Sequence, residues 1–327
     1  MQKKIIGITG STGFIGTHLV ESLVDEGYTL RCFLRAGSLL PSNWAKKVEV
    51  QRGSYDRVED LVSFADGCHE ILHLAGITIA DSREEFMKVN LRYTEALLSA
   101  IVQTKNQPTR FVYFSSQEAV HPSKNSQPIN EETKNLPFTD YGVSKLMAEN
   151  LVREKCAQGG IDLTILRPGP VYGPRDKDFL VFFRAMAKGF SPIFLYPSLI
   201  SPIFVKNLTY YVTKVLENPD ILGTYFMADS TDLSANDFAA LIRKSYGSWS
   251  IPVPIPRFPL YILAKIGDLV ASTGKKRPLV TSQKYKMLTW PNLTIDRARL
   301  NKTFGPPPYT TAEGVEQTWQ WFISFPI

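Results

Sequence analysis

Thiols, imidazoles and long apolar runs are all scarce in this 327-residue sequence, and each scarcity removes a class of function. The three cysteines, Cys32, Cys68 and Cys156, are odd in number, far apart and without a C-x-x-C pair, which excludes a disulfide framework and a thiolate zinc site. All four histidines lie within the first 121 residues and no H-E-x-x-H occurs, so no metal is expected. The apolar run Ile5–Ile8 behind two lysines is too short for a signal peptide, and no stretch of about 18 apolar residues could cross a membrane. A reducing cytoplasm is the expected location. What is present describes a globular chain with a sizeable core: 44% hydrophobic and 21% charged residues, with 22 prolines and 21 glycines dispersed along it.

The net charge of +6 is concentrated. Residues 260–302 hold nine Lys/Arg against two Asp/Glu, whereas the remainder holds 28 against 29. Such a segment can be a solvated lysine-rich face, or can attract an anionic substrate or an acidic lipid surface. No nucleic-acid recognition motif accompanies it, and no nucleic-acid partner is expected.

Up to about residue 174 the sequence alternates short apolar runs with longer segments of helical period. Strands are expected at Lys4–Thr9, Thr29–Leu34, Val48–Gln51, Glu70–Leu74, Arg110–Phe114 and Ile161–Leu166. Helices are expected at Phe14–Glu26, Asp56–Phe64, about Ser82–Thr104 and Tyr141–Cys156. Strands separated by helices of this length imply βαβ crossovers, hence an α/β fold with a doubly wound parallel sheet. Residues 1–174 read as a Rossmann domain. Residues 175–327, rich in proline and irregular, read as a smaller α+β substrate-binding region, parts of which can rejoin the sheet.

Gly10-Ser11-Thr12-Gly13-Phe14-Ile15-Gly16 follows the first strand and opens the first helix. Glycine at 10 permits a tight turn, at 13 a close approach to a pyrophosphate, and at 16 close helix–strand contact. The helix N-terminus adds unpaired N–H groups and a positive dipole end. The second strand then ends Leu34-Arg35-Ala36-Gly37-Ser38, with no carboxylate for the ribose hydroxyls. Arg35 and Ser38 can hold a 2′-phosphate instead, which favours NADP(H) over NAD(H).

Tyr141 and Lys145 stand one helical turn apart, so phenol and ammonium share a face. A neighbouring cation is expected to pull the phenol's pKa down toward neutrality, where it can exchange a proton with a substrate oxygen. Ser115-Ser116 ends the fifth strand, on the side of the sheet where ligands collect.

In combination these residues resemble the short-chain dehydrogenase/reductase superfamily in its extended branch, the NAD-dependent epimerase/dehydratase family. The resemblance rests on Thr9-Gly10-x-x-Gly13-x-x-Gly16, His73-Leu74-Ala75-Gly76, Asn90, Ser115-Ser116, Tyr141-x-x-x-Lys145 and Arg167-Pro168-x-x-Val171-Tyr172-Gly173, in the family's order. The tail, Asp296–Arg299 through Glu313-Gly314 to Trp319-x-Trp321, is similar as well. The resemblance implies that Tyr141 is the general acid/base and that Lys145 holds the nicotinamide ribose and tunes Tyr141. It implies that Ser116, with Ser115 beside it, bonds the substrate oxygen. Leu74, Ala75 and Gly76 would pass under the adenosine half, Asn90 would support the active-site helix, and Pro168 and Val171 would line the nicotinamide pocket. Gly10, Thr12, Gly13, Phe14, Ile15 and Gly16 would form the diphosphate loop. A homodimer is compatible with the resemblance. Two departures are visible: Gln117 stands where many epimerases carry the catalytic Ser/Thr, and Ser54 where an adenine-contacting Asp is common.

The stretch Gly27–Arg35 is similar to the dihydroflavonol reductase and 3β-hydroxysteroid dehydrogenase types. Leu195–Pro202 carries no charge where sugar-nucleotide members place cations. Phe179, Phe182, Phe183, Phe190, Phe194 and Tyr196 would form an apolar wall over a small-molecule ketone or secondary alcohol. The resulting expectation is an NADP(H)-dependent oxidoreductase acting on an apolar small molecule. The alternatives are a nucleotide-sugar epimerase/dehydratase and a non-catalytic cofactor-binding regulator. Phe258–Val270 reads as an amphipathic helix packed on its own domain, with a membrane surface as the alternative.

Overall fold

The computed structural model describes residues 4–44, 47–120, 127–229, 233–247, 249–272 and 280–324. Two compact units divide the chain: residues 1–120, 135–167 and 211–225 form one, and residues 121–134, 168–210 and 226–327 the other.

The first unit is organised by a seven-stranded sheet, β1 (Ile5–Thr9), β2 (Thr29–Arg35), β3 (Glu49–Gly53), β4 (Glu70–His73), β5 (Arg110–Phe114), β6 (Asp162–Pro168) and β7 (Gly223–Met227), in the order 3-2-1-4-5-6-7. The pairings from β3 through to β6 are all parallel. β4 is buried at every residue, as is β5, the pattern of strands covered on both faces. Helices α1 (Phe14–Asp25), α2 (Val58–Ala65), α3 (Tyr93–Ile101) and α4 (Asp140–Gly159) supply the cover. Phe64, Leu97, Ile101, Phe111, Val152 and Ile165 meet in its core. The strand order reverses between β1 and β4, which is where a doubly wound sheet opens a crevice at its carboxyl edge.

The long helix expected over Ser82–Thr104 is interrupted. Arg83–Phe86 is α-helical, Met87–Arg92 winds as a π segment, and α3 resumes at Tyr93. The wider turn carries Asn90, buried at 1% exposure.

In the second unit, Phe190–Phe194 pairs parallel with Ile251–Ile255, and Leu199–Ile200 lies between Leu233–Ser234 and Asn292–Leu293. Helices α5 (Ala235–Tyr246), α6 (Arg257–Ser272), α7 (Ser282–Leu288) and α8 (Thr311–Ser324) complete its framework. Ser234 and Asp237 close a reciprocal capping box on α5. The expected aromatic wall is in large part this unit's core. Phe183 stacks on Trp319 with 6.2 Å between centroids, Phe194 meets Tyr196 edge-on, and Phe183, Phe194 and Tyr196 are buried, while Phe190 is exposed. A β-carbon at Gly314 would fall 2.5 Å from the Tyr172 hydroxyl, so the tail motif is a packing requirement here.

Candidate active site

The loop after β1 is closed by Gly13 N–H donating to the Gly10 carbonyl at 3.0 Å. Gly10 adopts φ +72°, and a β-carbon there would meet the Ala75 nitrogen at 2.7 Å. A β-carbon at Gly16 would approach the Gly10 carbonyl oxygen to 2.2 Å. Both positions therefore exclude any larger residue. Gly13 is the N-cap of α1 and offers no side-chain acceptor, so the first-turn N–H groups keep their capacity for an anion. Thr12 and Gly13 are exposed, with Phe14 and Ile15 half-buried behind them.

The loop after β4 lies against this turn. Leu74 N–H donates to the Thr9 carbonyl at 3.2 Å, and Ala75 N–H to the Thr9 hydroxyl at 3.3 Å. His73 bridges Thr9 (2.7 Å) and Thr94 (2.9 Å), and burial together with Lys145 drives its pKa down to about 3, so the imidazole is a neutral latch between β1, β4 and α3. Asn90 accepts from the Ile77 N–H at 2.8 Å and donates to the Ile77 carbonyl (3.0 Å) and the Ser144 hydroxyl (2.9 Å). It thus ties the β4 loop to α4. At Gly76 a β-carbon would stand 3.0 Å from the Asn90 side-chain oxygen and 3.7 Å from Lys145 Nζ, so Gly76, Asn90 and Lys145 share one small space.

Helix α4 begins at the N-cap Thr139, whose hydroxyl accepts from the Gly142 N–H at 2.9 Å. Lys145 is 4% exposed; its Nζ donates to the Phe114 carbonyl at 2.6 Å and lies 4.5 Å from the centre of the Tyr113 ring. Burial lowers its pKa to about 7, against the opposing pull of Glu149. Glu149, also buried, is held by Arg167 at 2.6 and 2.9 Å. Ser116 lies 8% exposed after β5, and its hydroxyl accepts from the Glu118 N–H at 3.2 Å. The Ser115 hydroxyl is buried without a hydrogen-bond partner among the described residues.

Tyr141 is half-buried, and its phenol is hydrogen-bonded with Ser116. The expected downward pull of Lys145 on this phenol is not the governing influence. Burial first and the Glu118 carboxylate second push its pKa well above the ordinary value, and the Ser116 bond only partly offsets them. The phenol is consequently a neutral acid, suited to giving a proton to an oxygen brought beside it.

Two further residues enter the site without having been marked by the sequence. Glu118 accepts from the Thr139 hydroxyl at 2.8 Å, and desolvation raises its pKa to about 7. Arg52, on β3, sits beside Leu34 in the sheet register and donates to the Ser38 carbonyl at 3.1 Å, next to the exposed Arg35 that ends β2. Pro168 closes β6, and Val171 pairs with Ile203 in the second unit.

The residues fit a pyridine dinucleotide by three observations: two glycine positions no β-carbon can occupy, an uncapped helix N-terminus, and an amine with donors left after its single bond to Phe114. Residues 6–198 match the profile of the NAD-dependent epimerase/dehydratase family. The chain belongs to that family. It lies in the extended branch of the short-chain dehydrogenase/reductases and is an NAD(P)-dependent oxidoreductase. Among curated proteins it is 31% identical to the 3 beta-hydroxysteroid dehydrogenase/Delta 5→4-isomerase of Mycobacterium tuberculosis, over 97% of this chain and 90% of the relative. It is 26% identical to the UDP-glucose 4-epimerase of Vibrio cholerae, over 99% and 96%. Among solved structures, the UDP-N-acetylglucosamine 4-epimerase of Bacillus cereus superposes with a TM-score of 0.78 at 20% identity, over 99% of this chain and 98% of that one; this likeness is one of fold. Among the described residues no group of His, Cys, Asp and Glu could hold a metal, and no helix is long and apolar enough to cross a membrane.

Proposed function

We propose that this family member is an NADP(H)-dependent reductase of a ketone on an apolar small molecule, or a dehydrogenase of the corresponding secondary alcohol, in the cytoplasm. The reading is supported by two observations: Ser116, just after β5, interacts with the Tyr141 phenol, and the Lys145 amine sits on the Phe114 carbonyl at the end of β5, close to Gly76. A nicotinamide bound there supplies or accepts the hydride. Tyr141, as the neutral acid, gives its proton to the developing alkoxide oxygen, and Ser116 holds that oxygen by a second hydrogen bond. Lys145 holds the nicotinamide ribose with its remaining donors, and its charge offsets the phenolate left by proton transfer. Gly10, Thr12, Gly13, Phe14, Ile15 and Gly16 receive the diphosphate, and Leu74, Ala75 and Gly76 lie along the adenosine half. Pro168 and Val171 belong to the nicotinamide side, with Ser115 and Asn90 supporting it. Residues 175–327 serve as the substrate-binding region.

The choice of NADP(H) is supported by two guanidinium groups, Arg35 and Arg52, at the end of β2 and β3, where no carboxylate claims the ribose hydroxyls. The apolar substrate is supported by the steroid named for the 31%-identical relative and by the uncharged run Leu195–Pro202. The three cysteines are free and buried, which suits a reducing compartment.

Titration of the purified chain with NADPH and NADH, followed by absorbance at the nicotinamide band with apolar ketones and UDP-sugars, tests both choices. At least tenfold tighter binding of NADPH and net oxidation of NADPH by a ketone are expected. Tighter NADH binding would overturn the choice of cofactor, and turnover of a UDP-sugar with no net absorbance change would establish an epimerase instead.

A further inference from the structure

Helix α6 is turned inside out relative to an ordinary surface helix. Leu260, Ala264 and Gly267, spaced i, i+4, i+7, face inward, and Leu260 joins Phe194, Tyr196 and Tyr285 in a small cluster. The opposite side carries Phe258, Ile262, Ile266 and Leu269, all exposed, with Phe258 at 72% and Leu269 at 69%. Tyr261 and Leu263 flank this stripe, also exposed. Packing on its own domain, the expectation from the sequence, thus accounts for the smaller side chains of α6 and leaves the larger ones uncovered. The segment leading into the helix behaves likewise. Trp249 is 81% exposed, and Ile251 and Val253 are exposed on a strand paired on one side, with Phe190–Phe194.

The charges around this stripe are predominantly basic, with Asp178 3.8 Å from Lys284 of α7 as an exposed exception. Asp268, the single acid of α6, accepts from both the backbone N–H and the hydroxyl of Ser282, so it is spent on starting α7. Lys265 is exposed on α6 near the Tyr261 ring, and Lys286 is exposed on α7, while the Arg257 guanidinium is turned the other way, donating to the Thr289 carbonyl at 3.0 Å and lying over the Tyr196 ring. The helix is followed in the sequence by Lys275-Lys276-Arg277, which lie outside the described residues, and residues 260–302 together hold nine basic against two acidic residues. A protein partner or a second copy could cover an apolar stripe. The basic excess singles out a surface that is at once apolar inside and anionic at its boundary. Sixteen residues with Lys265 and Asp268 among them are too few and too polar to span a bilayer, so the helix would lie in the interface plane.

We propose that α6, with Trp249 and the Ile251–Ile255 strand beside it, docks this protein on an anionic lipid bilayer, burying Phe258, Ile262, Ile266 and Leu269 among the acyl chains while Lys265 meets the headgroups. The docking is independent of the substrate assigned above and of any turnover.

Co-sedimentation of the full chain with large vesicles tests it, using phosphatidylcholine alone and a 70:30 mixture of phosphatidylcholine and phosphatidylglycerol. The wild-type chain should pellet with the mixed vesicles, at least tenfold more weakly with neutral ones, and less as salt is raised. The triple variant Phe258→Ser, Ile262→Gln, Leu269→Gln should lose at least tenfold in partitioning with an unchanged circular-dichroism melt, since the three side chains contact solvent. Lys265→Glu should lose a smaller factor. Light scattering on the same samples identifies the competing occupant: a dimer that the triple variant converts to monomer, without vesicle binding by either, would overturn the proposal. Equal pelleting of wild type and triple variant would overturn it as well.

Discussion

Helices α4 and α6 break the same rule in opposite directions. In α4, Ser144, Lys145 and Glu149 are buried beside Ala148, Val152 and Cys156; in α6 a Phe, two Ile and a Leu stand in solvent. Burial of the charges in α4 is tolerable because the chain itself supplies their partners: Arg167 for Glu149, the Phe114 carbonyl for Lys145, Asn90 for Ser144. Exposure of Phe258, Ile262 and Ile266 in α6 leaves a surface that the described residues do not cover. The first helix is completed from within and carries Tyr141, the proposed proton donor. The second is left open by the described residues.

The sharpest test of that contrast is Tyr141→Phe. It removes one hydroxyl from the completed helix and should lower kcat by roughly a thousandfold or more, within the range for loss of a general acid. NADPH affinity should change less than threefold, as measured by fluorescence titration. The triple α6 variant should keep wild-type NADPH affinity in the same titration. A Tyr141→Phe enzyme with kcat within tenfold of wild type would remove the phenol from the chemistry.

Next in size is Arg167→Met. It would strand the Glu149 carboxylate in the interior, where loss of one partner of a buried pair costs about 3–5 kcal/mol. Arg153, 3.7 Å from Glu149 and partly exposed, should keep the loss toward the lower end. Urea denaturation should show the double change Glu149→Leu, Arg167→Met recovering most of that stability. If the single change costs no more than Leu269→Gln on α6, the buried charges of α4 are not completed by their partners in the way described.

What was legible in the sequence was local. The glycine turn, the strand–helix alternation and the Tyr141–Lys145 pair each sit within one or two turns of chain, so spacing alone reveals them. Arg52 was not legible, because it reaches Ser38 only through the β2–β3 register. Glu118 was hidden for the same reason, its partner Thr139 lying 21 residues on. The phenol's pKa was misjudged because the i, i+4 amine is visible in a sequence whereas desolvation is not. Periodicity also shows that α6 has two faces without showing which one faces in. The small side, Leu260, Ala264 and Gly267, is the one that packs. The π segment at Met87–Arg92 leaves no trace in an otherwise helical pattern, although it carries Asn90 between Ile77 and Ser144.

The smallest effect, and the most specific, concerns Glu118, which clasps the start of α4. Its carboxyl holds the N-cap Thr139, and a β-carbon at Gly142 would lie 2.2 Å from its carbonyl oxygen. Folding raises its pKa from the ordinary 4.5 to about 7. The folded state therefore prefers the protonated form, and Glu118 weighs against stability increasingly as pH rises from about 4.5 through 7, with no further change above. Glu118→Gln keeps an acceptor for Thr139 and cannot ionise. Its melting temperature relative to wild type should be unchanged near pH 4.5, rise up to about pH 7 and level off above it. The same substitution removes the negative charge that raises the Tyr141 pKa, so the alkaline limb of the ketone-reduction profile should move to lower pH, by about one unit or less. A residue that merely fills space would give parallel melting curves and an unmoved limb. Either outcome for Glu118 leaves α6 untouched, because its exposed stripe contains no group that titrates near neutrality.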